Sequence, residues 1–239
     1  KNNFDIGLAM LKGDFRAAAM EFLTNTSNET NVGAVEARKR LAEEQDFKEA
    51  LRYFPMHLKY ERMMLEYLAR FSANFANSIK RLPRAVSLMF VHSVEAQIFN
   101  MELEERIKGG GIGIRDTDLA CSLNECGFPD MSAVAHSSSF VEDADKLLPV
   151  ANVVGYETKE TTEFERDAME RLGITTESFK VRGLNELNSK GTYRPLVTTY
   201  TGFEGSPSGD GKSATFRFSL PSGSYATVLL EEFISDGKG

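Results

Sequence analysis

Behind Pro83, the stretch RAVSLMFVHSVEAQIFNMELEERI repeats apolar residues at helical spacing with no glycine or proline to interrupt it, which predicts a long helix. Pro83 suits the junction, since it ends one helix and is tolerated near the start of the next. The same periodicity runs back through the first half of the chain. IGLAMLKGDFRAAAMEFL is interrupted at Gly13-Asp14, VGAVEARKRLAEEQDFKEALRYF follows, and HLKYERMMLEYLARFSANFANSIKRL leads up to Pro83. The first hundred or so residues are therefore expected to be helical. A likeness between LKGDFRAAAMEFL and DFKEALRYF hints at a helical repeat but never recurs a third time.

The glycines of KGGGIGIRDTD (108–118) close this half. They lack both the GxxxxGK[ST] pattern and a strand-to-helix setting, so a flexible connection is the better reading than a phosphate loop. Asp116 and Asp118 could serve as an acid pair; beside so many glycines they read more readily as turn residues bonding their own backbone. Beyond them the pattern is mixed. LPVANVVGYET predicts a buried strand from about Val150 to Tyr156, and TEFERDAMERLG a short helix ending at Gly173. GTYRPLVTTYTGF is strand-like, and SPSGDGKS forms a hairpin-type turn into FRFSL. The fold class is α+β: a helical first half, a mixed α/β insertion, and a terminal antiparallel hairpin followed by a helix.

That last junction carries the most specific chemistry. In FRFSLPSGSYATVLLEEFI, alternation of Phe216, Phe218 and Leu220 marks a half-buried strand, and Pro221, which cannot donate to a ladder, stops it. Ser222-Gly223 is the turn and Ser224 the expected N-cap of a helix whose apolar face is Ala226, Val228, Leu229, Leu230 and Phe233. Free N–H groups at the helix start beside Tyr225 would suit an anion or a flat polar ligand; packing of Tyr225 on its own sheet is the plainer alternative.

Composition excludes several classes. With 239 residues and 41% hydrophobic content, the chain can bury a substantial core, and it contains no apolar run long enough to span a bilayer. Its amino end lacks a cleavage-like signal, so a cytoplasmic protein is expected. Cys121 and Cys126 with three scattered histidines offer no zinc spacing and read as reduced structural thiols. The net charge of −7 is uneven: residues 1–110 carry 16 Lys+Arg against 15 Asp+Glu, and the remainder 12 against 20. Arg62, Arg70, Arg81 and Arg84 could therefore line a local basic groove, although on charge alone a solvated helix face is the simpler reading.

VHSVEAQIFNMELEERI, GTYRPLV preceded by ESFKVRGLNEL, and FRFSLPSGSYATVLLEEFI occur in an order that resembles the TruD family of tRNA pseudouridine synthases, in particular its archaeal branch. A strand followed by LPxGS(Y/F)AT and a helix is close to a family signature. The resemblance implies isomerisation of a uridine in tRNA, usually uridine 13, with no metal, nucleotide or organic cofactor. It also implies that the terminal hairpin and helix complete a pseudouridine-synthase-type catalytic domain. Residues 1–30 would end the first segment of that domain, 31–192 would be the family-specific insertion, and 193–239 the returning segment. The partner is tRNA, with no membrane and a monomer slightly favoured.

Carried over position by position, Tyr225 takes the aromatic place of LPxGS(Y/F)AT that lies against the target base, next to Ser224. Gln97, Phe99 and Asn100 in AQIFN match a helical motif of the type QSxLFN that supports the catalytic cleft. Arg194 in GTYRPL matches a motif arginine able to orient a phosphate or carboxylate by bidentate bonding. Each has a plainer reading: Phe99 as core, Gln97 and Asn100 as helix-to-helix hydrogen bonds, Arg194 as an ion pair. Segments resembling GLKDKxAxTxQ, which holds the family's catalytic aspartate, and NYFGxQRFG do not occur here, so no aspartate of this sequence inherits that role. The expectation is therefore the carboxyl-terminal portion of a longer polypeptide, itself inactive. The alternatives are a non-catalytic RNA-binding module of the same ancestry and a helical protein-interaction scaffold on residues 1–107.

Overall fold

Side-chain caps decide where the helices of the first half begin and end. The computed structural model describes residues 2–140, 146–209, 211–231 and 233. Helix α1 (Asn3–Leu11) stops before Gly13, and Asp14 caps α2 (Phe15–Thr24) by accepting from the Ala17 N–H at 2.9 Å. Asn31 caps α3 (Val32–Glu44) in the same way. The continuous helix expected from residue 32 to 54 instead breaks at Gln45, which adopts φ 50°, and Asp46 starts α4 (Phe47–Tyr53) by accepting from two backbone N–H groups. The next expected helix also divides, into α5 (Lys59–Leu68) and α6 (Phe75–Ile79), because Asn74 caps the second piece. Short Asp and Asn side chains bond locally to the backbone, and here that competition overrides an unbroken apolar period.

Helix α7 (Arg84–Lys108) runs uninterrupted, as its sequence predicts. The chain divides into two units: Lys1–Glu105 with Asn152–Thr192, and Arg106–Ala151 with Tyr193–Gly239. In the first unit α7 buries Phe90, Val91, Val94 and Ile98, and Phe22 meets Phe90 edge-on at 5.7 Å. Gly7 of α1 lies against the Phe90 carbonyl so closely that a Cβ there would sit 2.0 Å from its oxygen. Buried Arg38 donates to the carbonyls of Phe22 and Leu23 and to Glu61 at 2.6 Å. It thereby satisfies two carbonyls that the end of α2 leaves without helical partners. Helix α8 (Glu163–Leu172) completes this unit, opened by a Thr162/Glu165 capping box and ended, as expected, by Gly173 at φ 67°.

The second unit is built on antiparallel pairing. Strands β1 (Leu119–Cys121), β2 (Ala135–His136), β3 (Leu148–Val153) and β4 (Thr192–Pro195) form a sheet in the order β2-β1-β3-β4, with β1 antiparallel to both neighbours. The strand expected over GTYRPLVTTYTGF is two strands. Its first part is β4, continued by the Leu196 N–H donating to the Pro149 carbonyl; its second is β5 (Thr201–Pro207). Between them Thr199 turns its hydroxyl onto the Gly127 carbonyl. Strand β5 pairs with β6 (Ala214–Ser219) as the predicted hairpin, Gly205 opposite Phe216, and α9 (Ala226–Glu231) follows. The architecture is α+β, with a helical first half and antiparallel sheets.

Candidate functional site

The corner between β6 and α9 is shaped by its turn residues. The Ser224 N–H donates to the Pro221 carbonyl at 3.2 Å, and Gly223 takes φ 88°, a left-handed conformation suited to glycine. The helix starts one residue later than expected. Val228 and Leu229 both donate to the carbonyl of Tyr225, so Tyr225 and not Ser224 occupies the N-cap position. The Ser224 hydroxyl lies 3.5 Å from that of Thr198, in the β4–β5 connection. Tyr225 is 67% exposed. Helix α9 spans six residues and buries none of them, so little of the expected dipole support accompanies the ring.

An aromatic cluster backs this corner. Phe233 stacks on Phe203 at 4.7 Å, and Phe203 also meets Phe216, Phe218 and Tyr200 within 6.0 Å. Arg194 lies on β4, exposed, next to Tyr193, and its strand is entered through Gly191 at φ 84°. Gly191 packs so closely on Gly155 that a Cβ on Gly155 would come within 2.0 Å of the Gly191 nitrogen.

The remaining sequence-predicted residues lie in the other unit, on α7. Gln97 and Asn100 are three residues apart on one exposed face, whereas Phe99 is buried, 4% exposed. The second unit thus holds Ser224, Tyr225 and Arg194, and the first holds Gln97, Phe99 and Asn100.

The acidic residues have structural partners. Asp118 is neither half of an acid pair nor a simple turn residue: Arg106 grips both its oxygens at 2.7 and 2.6 Å and the Arg115 N–H adds a third bond. Burial works to raise the Asp118 carboxyl, but these donors prevail and hold it below the usual carboxylate value. The Asp116 carbonyl accepts from Ser137. Of the four arginines of the expected groove, Arg62 donates to the carbonyls of Leu51 and Phe54 and Arg84 to that of Glu186, so these two serve the framework. Cys121 and Cys126 are both free, the first buried and the second exposed. Among the described residues no group of three His, Cys, Asp or Glu could hold a metal ion, and no helix is long and apolar enough to cross a membrane.

Sequence reasoning missed four buried glutamates, of which Glu61 pairs with Arg38. Glu95 and Glu102, seven residues apart, lie on the buried side of α7, and Glu165 is fully buried at the start of α8. Glu165 accepts from the Thr162 N–H and from Asn152, while Glu102 lies within hydrogen-bonding range of it. The Thr-x-x-Glu capping spacing was the available signal for Glu165.

Comparison with known proteins places this geometry. The family described as tRNA pseudouridine synthase D (TruD) matches residues 1–233. A protein of Methanococcoides burtonii named as a tRNA pseudouridine synthase D is 31% identical over 96% of this chain and 56% of its own length. Its counterpart from Thermococcus sibiricus is 31% identical over 98% and 57%. A crystal structure of the Methanosarcina mazei protein assigned to TruD superposes with a TM-score of 0.84 at 30% identity, covering 97% of this chain and 57% of that one. The chain thus spans little more than half the length of these relatives. With a match running from its first helices through the Tyr225 corner, the chain belongs to the tRNA pseudouridine synthase D family.

Proposed function

We propose that this chain is part of a tRNA pseudouridine synthase that converts uridine 13 to pseudouridine, and that Tyr225 holds the target base. The observation that carries the reading is the ring of Tyr225, 67% exposed at the strand–turn–helix corner, where the resemblance to LPxGS(Y/F)AT puts an aromatic residue. The reaction breaks the N1–C1′ glycosidic bond, turns the uracil and joins C5 to C1′; the C5 proton passes to solvent and N1 gains one. A base can undergo this only when taken out of its stack and held, and an exposed aromatic ring provides the holding surface. Arg194 is assigned to a substrate phosphate, Ser224 to the support of the corner, and Gln97 and Asn100 to the framework of the cleft with buried Phe99 behind them. No aspartate of this chain is assigned the catalytic role, and no cofactor is invoked.

In the same reading residues 1–30 and 193–239 belong to the catalytic domain and 31–192 to the family-specific insertion. The partner is tRNA, and the free thiols of Cys121 and Cys126 fit the reducing cytoplasm. Replacing Tyr225 with Ala should lower turnover on tRNA by roughly five- to hundredfold, since stacking a base on an aromatic is worth about 1–3 kcal/mol, and Tyr225→Phe should restore most of it. Equal turnover in wild type and Tyr225→Ala would remove this residue from the site.

A further inference from the structure

Helix α5 is apolar on two sides. Its inner side buries Met64, Leu65 and Leu68 and pairs Glu61 with Arg38. Its outer side carries Tyr60, Met63 and Tyr67 at helical spacing and leads to Phe71, whose N–H still donates to the Tyr67 carbonyl at 3.0 Å. Tyr60, Met63 and Phe71 are 42%, 39% and 54% exposed. The Tyr67 and Phe71 rings lie 5.0 Å apart, and the Arg81 guanidinium sits 4.7 Å over the Tyr67 ring. A cation and two rings therefore make a stack that ends in an exposed aromatic. A row of large apolar groups turned to water marks an interaction surface rather than a folding device.

Charge selects the partner. Although the chain carries a net charge of −7, the sequence from Arg70 to Val94 contains no acidic residue. Arg70, Lys80 and Arg81 within it are exposed, and among the described residues none of the three has a carboxylate in ion-pair range; Glu66 is the acidic residue beside the row. Cations interleaved with flat rings suit a polyanion that also presents flat faces, which is single-stranded RNA.

We propose that the outer face of α5, with the Phe71 turn, is an RNA-docking surface that stacks an unpaired base of tRNA on Phe71 and neutralises adjacent phosphates with Arg70, Lys80 and Arg81. This rests on the RNA substrate of the proposed function and adds a contact carried by the first unit. The test is tRNA affinity across a salt series for the wild-type protein, Phe71→Ala, the double variant Arg70→Gln/Lys80→Gln, and Tyr225→Ala, each checked for an unchanged melting profile. Phe71→Ala should weaken binding about five- to hundredfold, and the double variant should flatten the dependence of log K on log salt by about 1.4. If Tyr225→Ala weakens binding while the other variants match wild type, the α5 surface is overturned and the proposed function stands, leaving the face to a protein partner. If the wild-type protein binds no tRNA, both fall.

Discussion

At the scale of single residues, the site depends on places where no side chain fits. Arg194 reaches its position through Gly191, and Gly191 can adopt φ 84° against Gly155 because neither residue has a Cβ. Adding one at Gly155 would bring it within 2.0–2.5 Å of backbone atoms of residues 190 and 191, which cannot move aside as a flexible side chain would. Gly155→Ala should therefore destabilise the first unit at the upper end of the overpacking range, about 3 kcal/mol. Gly13→Ala, at φ 78° in open space, should cost only about 1 kcal/mol. Denaturant unfolding of the two variants side by side checks this, and equal losses would show that the Gly155 contact is not tight.

At the scale of elements, the join of α7, β3 and α8 is an acid cluster taken out of water. Among the described residues Glu165 Oε1 has no donor in range, and the nearby Glu102 can supply one only when it carries a proton. Burial therefore raises the Glu165 carboxyl above its ordinary value, against the bonds from Thr162, Asn152 and Glu102. A carboxyl raised in the folded state contributes stability that is full below its unfolded value, about 4.3, and is lost as pH rises through the folded value. Asp118 acts in the opposite sense: held low by Arg106, it contributes above its unfolded value and is lost as pH falls through the folded one. Glu165→Gln keeps an acceptor for Thr162 and Asn152 and offers Glu102 a donor, so its stability should decline less than that of wild type as pH rises above the unfolded carboxyl value and through the raised folded one. Parallel curves would show that the pair carries no shared proton. The same scale shows what was legible in the sequence. Helix α7 and the β5–β6 hairpin followed from periodicity and turn residues. Asp46 and Asn74 also stood in view as caps, but an apolar period that ran through both concealed the breaks. The start of α9 lies one residue later than the local pattern predicts, and the Ser224 hydroxyl instead lies near that of Thr198, a neighbour twenty-six residues away that no local pattern reveals. Burial of Glu165 was hidden for a related reason, since a capping box is ordinarily a surface feature.

For the whole molecule, family membership and the exposed Tyr225 ring support the proposed chemistry, while the sequence motifs are divided between two units. The helical unit carries the α7 motif and the aromatic, basic face of α5; the second carries the corner, Arg194 and the antiparallel sheets. This division explains why the family signature was easier to read than the domain roles: the motifs are short and local, whereas the units are assembled from segments far apart in the chain. The central claim is uridine isomerisation, and its most direct measurement is release of tritium from tRNA labelled at C5 of uridine by the protein carrying this sequence. The account predicts release, with pseudouridine mapped to position 13 and a rate that falls in Tyr225→Ala. Bound tRNA that keeps all of its label would contradict it.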